Sequence, residues 1–181
     1  MQKPIILTVA AALAMATPAM AQTPVLTVLT YDSFTSEWGP GPAVEAAFEE
    51  TCGCDLQFVG AGDGAALLAR LQLEGPRTDA DIVLGLDTNL TAAARETGLF
   101  APHGITADLD LPVAWDDTDF MPFDWGYFAF VGNAGAAAPT SLRALADSDI
   151  KIVIQDPRSS TPGLGLLMWV QAAYGDEAGA L

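Results

Sequence analysis

The stretch FVGAGDGAALLARL, residues 58–71, passes from a β-branched apolar run into a helical one through three glycines, Gly60, Gly62 and Gly64. Asp63 immediately precedes the helical segment that runs from Gly64 to Glu74, where its side chain is placed to cap the first turn. The junction is therefore read as strand, tight turn, helix, the first half of a βα unit. Gly60, Gly62 and Ala65 also match the G-x-G-x-x-G/A pattern of dinucleotide sites. That pattern works by bringing a pyrophosphate to a helix N-terminus, and the charge of Asp63 in the middle of the turn opposes one. Two readings stand: the glycines only shape a turn that Asp63 caps, or they shape a turn for a different ligand.

Working outward, the same rhythm repeats. VLTVLT (25–30) reads as a strand, followed by the polar, Gly/Pro-rich connection YDSFTSEWGPGP and a helix over 42–50 with Pro42 near its first position. DLQFV (55–59) is the strand that enters the quoted turn. DIVLGL (81–86) is a third strand, followed by DTN and a helix over 90–97 that Gly98 terminates. Short apolar strands alternating with helices predict a mainly parallel α/β sheet. Ligands of such sheets collect outside the carboxyl ends of the strands, so residues 31–33, Asp63 with Gly64, and residues 87–89 are expected to converge there.

The remainder continues in pieces. Residues 102–124 read as an acidic loop, WGYFAFVG (125–132) as a buried strand, and NAGAAAPT as a loose connection. SLRALADSD is a short helix with Ser141 as its cap. KIVIQD (151–156) is a further strand, PRSSTPG a loop and LGLLMWVQAAYG a helix. The loop sets Ser159, Ser160 and Thr161 before a helix N-terminus, an arrangement that serves equally for capping and for holding an oxyanion. No triad supports Ser160 as a catalytic nucleophile, because His103 is the lone histidine and no motif ties it to a serine. Most aromatics are expected in the core, notably Phe128, Phe130 and Trp169. Tyr31 and Trp38 lie in a polar loop after a strand, where a ring can stack on a ligand. An aromatic face near carboxylates suits a cationic ring.

Composition sets the compartment and excludes some partners. Residues 1–21 carry Lys3, the apolar run IILTVAAALAMA and the small-residue site AMA, and are read as a secretory signal peptide cut before Gln22. The run falls short of the roughly 20 apolar residues of a membrane span. The chain has 7 basic and 23 acidic residues, a formal charge of −16, and every acid lies beyond residue 21. Such a balance repels nucleic acid and anionic lipid and attracts cations at long range. Export permits a disulfide between Cys52 and Cys54, and two free thiols remain the alternative. With one histidine and no second cysteine pair, no metal site is expected.

Taken together, VLTVLTYDSFTSEWGPGPAVEAAFE, CGC, GDGAALLARLQLEG, ADIVLGLDTNL, MPFDWGYFAFV and QDPRSSTPGLGLLMWVQAAYGD resemble, in order and over nearly all of residues 24–176, the periplasmic thiamine-binding proteins of bacterial ABC importers. The resemblance implies a type II periplasmic binding protein fold: two α/β lobes, a hinge and a ligand between them. Residues 22–124 would form the first lobe, and 125–181 the hinge strand and part of the second. It implies capture of thiamine, thiamine monophosphate and thiamine diphosphate, and delivery to a permease and ATPase, by a monomer that needs no cofactor and catalyses nothing. The matching cleft positions are Asp63, Gly64, Ser160 and Thr161, with Tyr31 as a further contact. Gly64 N–H, Ser160 and Thr161 would serve as donors to the hydroxyethyl or phosphate tail. Family chains are about twice as long, so this sequence reads as an N-terminal fragment with an incomplete second lobe, expected to bind thiamine weakly or not at all by itself. Other readings are a same-fold protein for iron or a polyamine, and a secreted thiamine-degrading enzyme. Iron is disfavoured because the expected tyrosine pair is not visible among Tyr31, Tyr127 and Tyr174.

Overall fold

A computed structural model describes residues 22–180, so the signal-peptide reading of 1–21 lies outside the described residues. Strand β1 (Val25–Thr30) is the centre of a three-stranded parallel sheet, flanked by β2 (Asp55–Gly60) and β3 (Ile82–Leu84) in the order β2-β1-β3. In register, Thr30 faces Gly60 on one side and Leu84 on the other. All three strands therefore end at one level, and the loops that follow them begin side by side.

Helix α1 (Asp32–Thr35) is a single turn within what reads in sequence as a loop; α2 (Gly41–Cys52) and α3 (Gly64–Glu74) follow β1 and β2. Gly53, at φ 63°, ends α2 in the left-handed conformation that glycine adopts without steric cost. Just beyond it Cys52 and Cys54 are joined in a disulfide, which decides between the two states the sequence allows. Helix α4 (Thr91–Glu96) follows β3, α5 (Leu142–Ala146) is capped by Ser141, whose hydroxyl accepts from Ala144 N at 3.0 Å, and α6 (Thr161–Tyr174) is followed by a 3-10 helix over Gly175–Ala180.

The core sits on both faces of β1. On one, Leu29 packs with Leu67 and Leu71 of α3 and with Val59, Val83, Leu99 and Phe100. On the other, the buried Phe34 meets the rings of Tyr31, Phe58 and Phe123 edge-on, at 5.6, 5.0 and 5.7 Å between centroids. Thr30 is fully buried at the end of β1, yet its hydroxyl has no hydrogen-bond partner. A buried hydroxyl left unsatisfied costs about 1–3 kcal/mol. Thr30→Val is accordingly expected to raise the unfolding free energy by about 1 kcal/mol in urea titrations; a loss of stability would mean that the hydroxyl has a partner in solution.

Two expected strands are absent. Residues 125–132 and 151–156 belong to no ladder, and Val131 and Val153 are 97% and 99% exposed. Apolar β-formers make a strand only when a neighbour pairs their backbone groups, and none among the described residues does so. The expectation that Phe128, Phe130 and Trp169 are core fails with them: all three are about half exposed. Phe128 lies against Gly165 of α6, and Phe130 leans towards Trp169 with centroids 6.1 Å apart. Strand β3 is also shorter than expected, because Gly85 at φ 110° turns the chain out of the sheet.

Candidate functional site

The carboxyl edge of the sheet gathers the expected residues. Tyr31 follows β1 directly, and its loop is zipped to the glycine turn by two hydrogen bonds, Asp32 N to Gly62 O at 2.8 Å and Gly62 N to Asp32 Oδ1 at 2.9 Å. The Tyr31 ring lies against Gly85 so closely that any Cβ there would collide with it. Gly85→Ala would add that collision to an unfavourable φ. The substitution is expected to displace the Tyr31 ring and to weaken ligand binding at least tenfold, about 1.4 kcal/mol, in a calorimetric titration. An unchanged affinity would remove Tyr31 from the site.

Asp63 caps α3 as its place in the sequence suggests: Oδ1 accepts from Gly64 N at 2.8 Å. Its other oxygen reaches across 98 positions to accept from Thr161 N at 3.2 Å. One carboxylate thus takes the first free N–H of two helices, α3 and α6, where an anion is favoured by unpaired amides and by the positive end of each helix dipole. Gly64 is required at the meeting point. A Cβ there would lie 2.9 Å from Thr161 Oγ1, 3.0 Å from Leu90 Cδ1 and 3.2 Å from the carbonyl oxygen of Gly85.

Ser160 is 8% exposed and occupies the N-cap position of α6, but its hydroxyl does not cap the helix. It donates to Gln155 Oε1 instead. The preceding loop is held by Asp156, whose carbonyl accepts from Ser159 N and Ser160 N at 3.1 and 2.9 Å. The Arg158 guanidinium, at 2.5 Å, holds the Asp156 carboxyl down to about 2. Gly163 lets this loop press on the first turn of α6, because a Cβ there would stand 2.5 Å from the Gln155 carbonyl oxygen.

Asp63, Gly64 and Thr161 therefore meet directly, Tyr31 and Gly85 lie beside them, and Ser160 is the neighbour of Thr161 facing Gln155. The three donors expected to serve a ligand tail each have an acceptor within the chain: Gly64 N–H on Asp63, Ser160 on Gln155 and Thr161 on Asp87. Gly85 and Gln155 escape the sequence-based choice of site residues, whereas Asp87 is expected at this edge and is missed only as the partner of Thr161. For Asp87 and Gly85 the available signal is position alone, just past the end of β3. For Gln155 there is none, because its partner Ser160 is itself placed only by the folded loop.

The electrostatics are one-sided. Burial raises the Tyr31 phenol above its ordinary range, and the carboxylates of Asp124 and Asp63 raise it further. The side chain therefore stays a neutral phenol. Among the described residues no ion pair engages Asp63, Asp87 or Asp124. Uncompensated carboxylates around an aromatic face attract a cation. A groove of about 650 Å³ lined by Thr27, Gln57, Arg70, Glu74 and their neighbours lies elsewhere and contains none of these residues.

No family model matches the chain. Over 160 residues it is 54% identical to the thiamine-binding periplasmic protein of Escherichia coli K12, covering 86% of this chain and 49% of that one. The proteins of the same name from Brucella suis and Haemophilus influenzae are 54% identical over 168 residues and 45% over 152, with 90% and 81% of this chain covered and 50% and 46% of theirs. A solved periplasmic thiamin binding protein superposes with a TM-score of 0.82 at 52% identity, taking in 88% of this chain and 52% of that one. Over that span the α/β fold with its parallel sheet is the periplasmic binding protein fold. The chain spans about half the length of the curated relatives it matches.

Proposed function

We infer that this chain serves the capture of thiamine in the periplasm and its delivery to an ABC importer, as a binding protein without catalytic activity. The observation that carries the reading is the convergence of Tyr31, Asp63, Gly64 and Thr161 at the carboxyl edge of the sheet, in a chain about half identical to proteins named for thiamine binding. Thiamine presents a permanent thiazolium cation, an aminopyrimidine with donors and acceptors, and a hydroxyethyl tail. A neutral tyrosine ring beside unpaired carboxylates suits the cation. The helix N-termini of α3 and α6 suit the tail, including a phosphorylated one, through first-turn N–H groups that Asp63 does not occupy. Residues 22–124 and 125–181 act in this reading as a first lobe and the beginning of a second, with residues 1–21 as the export signal.

The test is a calorimetric titration of thiamine, thiamine monophosphate and thiamine diphosphate into the full-length protein, with chromatography of the recovered ligand. Tight one-to-one binding and intact ligand support the reading. Absence of heat with all three compounds overturns the ligand, and degraded thiamine overturns the binding role in favour of an enzyme.

A further inference from the structure

The hydrogen bonds that cross from residues 22–124 to 125–180, among the described residues, both end on Thr161. Asp63 takes its backbone N–H, and Asp87 Oδ2 accepts from its hydroxyl at 2.7 Å, 74 positions away in sequence. Asp87 is itself fixed before it reaches out. Its Oδ1 accepts from Asn89 N at 2.8 Å, and its carbonyl accepts from Leu90 N at 2.9 Å, so the turn after β3 presents Oδ2 in one direction. A carboxylate only accepts, and a hydroxyl has one proton to give. The bond therefore has one polarity and also sets which way the Thr161 hydroxyl points.

Resting on the thiamine-binding reading, we propose that Asp87 is a positioning residue that holds Thr161, and with it the N-terminus of α6, against the Asp63–Gly64 turn while ligand is bound. Without it, Thr161 keeps one weaker tether, the 3.2 Å bond to Asp63. Segment 151–156 holds Ser160 through Gln155 and Asp156, but among the described residues neither it nor the rest of α6 makes a further hydrogen bond to residues 22–124.

Two measurements on the full-length protein test this, with circular dichroism establishing that each variant is folded. In ligand-free protein, Asp87→Ala is expected to speed amide exchange at Thr161 and Leu164 about tenfold, whereas Asp87→Asn, whose amide oxygen still accepts, stays within about threefold of wild type. In stopped-flow release of thiamine, Asp87→Ala and Thr161→Val each speed release about tenfold, and the double variant is no faster than either alone. Exchange or release unchanged in Asp87→Ala, or single effects that multiply in the double variant, overturns the proposal. Wild-type protein that takes up no thiamine overturns the transport reading instead, and the exchange rates then decide by themselves whether Asp87 seats Thr161.

Discussion

Replacing Phe34 by alanine is expected to lower the unfolding free energy by about 3–5 kcal/mol, the usual cost of deleting a buried aromatic ring. Phe34 is 1% exposed, and three other rings, Tyr31, Phe58 and Phe123, meet it edge-on. These rings come from the loop after β1, from β2 and from the approach to residue 125, so the ring joins three separate segments of chain. Close backbone passage at Gly39 and Gly41, where a Cβ would stand 2.5 and 2.6 Å from the Phe34 carbonyl oxygen, leaves little freedom for collapse into the cavity. Domains of this size are stable by only about 5–15 kcal/mol, so the variant loses a large share of that margin. Urea denaturation followed by tryptophan fluorescence reads the effect, with Phe34→Leu as the milder comparison. A shift below about 1 kcal/mol would show that this aromatic cluster is not a cohesive part of the core.

Asp63→Ala is expected to weaken thiamine binding by the full-length protein about a hundredfold, or nearly 3 kcal/mol. Two losses act together. A carboxylate is removed beside the Tyr31 ring, where a cation is attracted, and the N–H groups of Gly64 and Thr161 lose their shared acceptor. Hydrogen bonds to a charged group contribute about 1.5–3 kcal/mol each. The lost cap also costs α3 about 1 kcal/mol of stability, which a thermal melt measures separately from affinity. Asp63→Asn retains an acceptor without the charge and should fall between the two. A change in affinity under threefold would place the ligand away from this turn.

How much of this was legible in the residues varies along the chain. The quoted turn at 58–71, the strand at 25–30, the helix at 64–74 and the Asp63 cap appear where the sequence places them. Each depends on neighbours a few positions away: an apolar run, a glycine where the backbone turns, a carboxylate one residue before a helix. The alternation of strands and helices was also sufficient to make the sheet parallel and to bring its loops to one edge. The α1 turn was hidden because so short a helix depends on tertiary contacts, here its docking on Gly62 and the burial of Phe34.

What tertiary structure alone decided lies at longer range. Composition makes 125–132 and 151–156 good strands, but a strand exists only through its partner, and none pairs with them among the described residues. Likewise Ser160 and Thr161 lie at a helix start in the sequence and in the structure, yet which acceptors their groups find depends on residues up to 98 positions away. Sequence by itself determined the local units and the edge at which the strand-end loops gather, because their physics is short-ranged. The grip of Asp63 and Asp87 on Thr161 was decided by the folded chain, because only packing brings those backbone and side-chain groups within hydrogen-bonding distance.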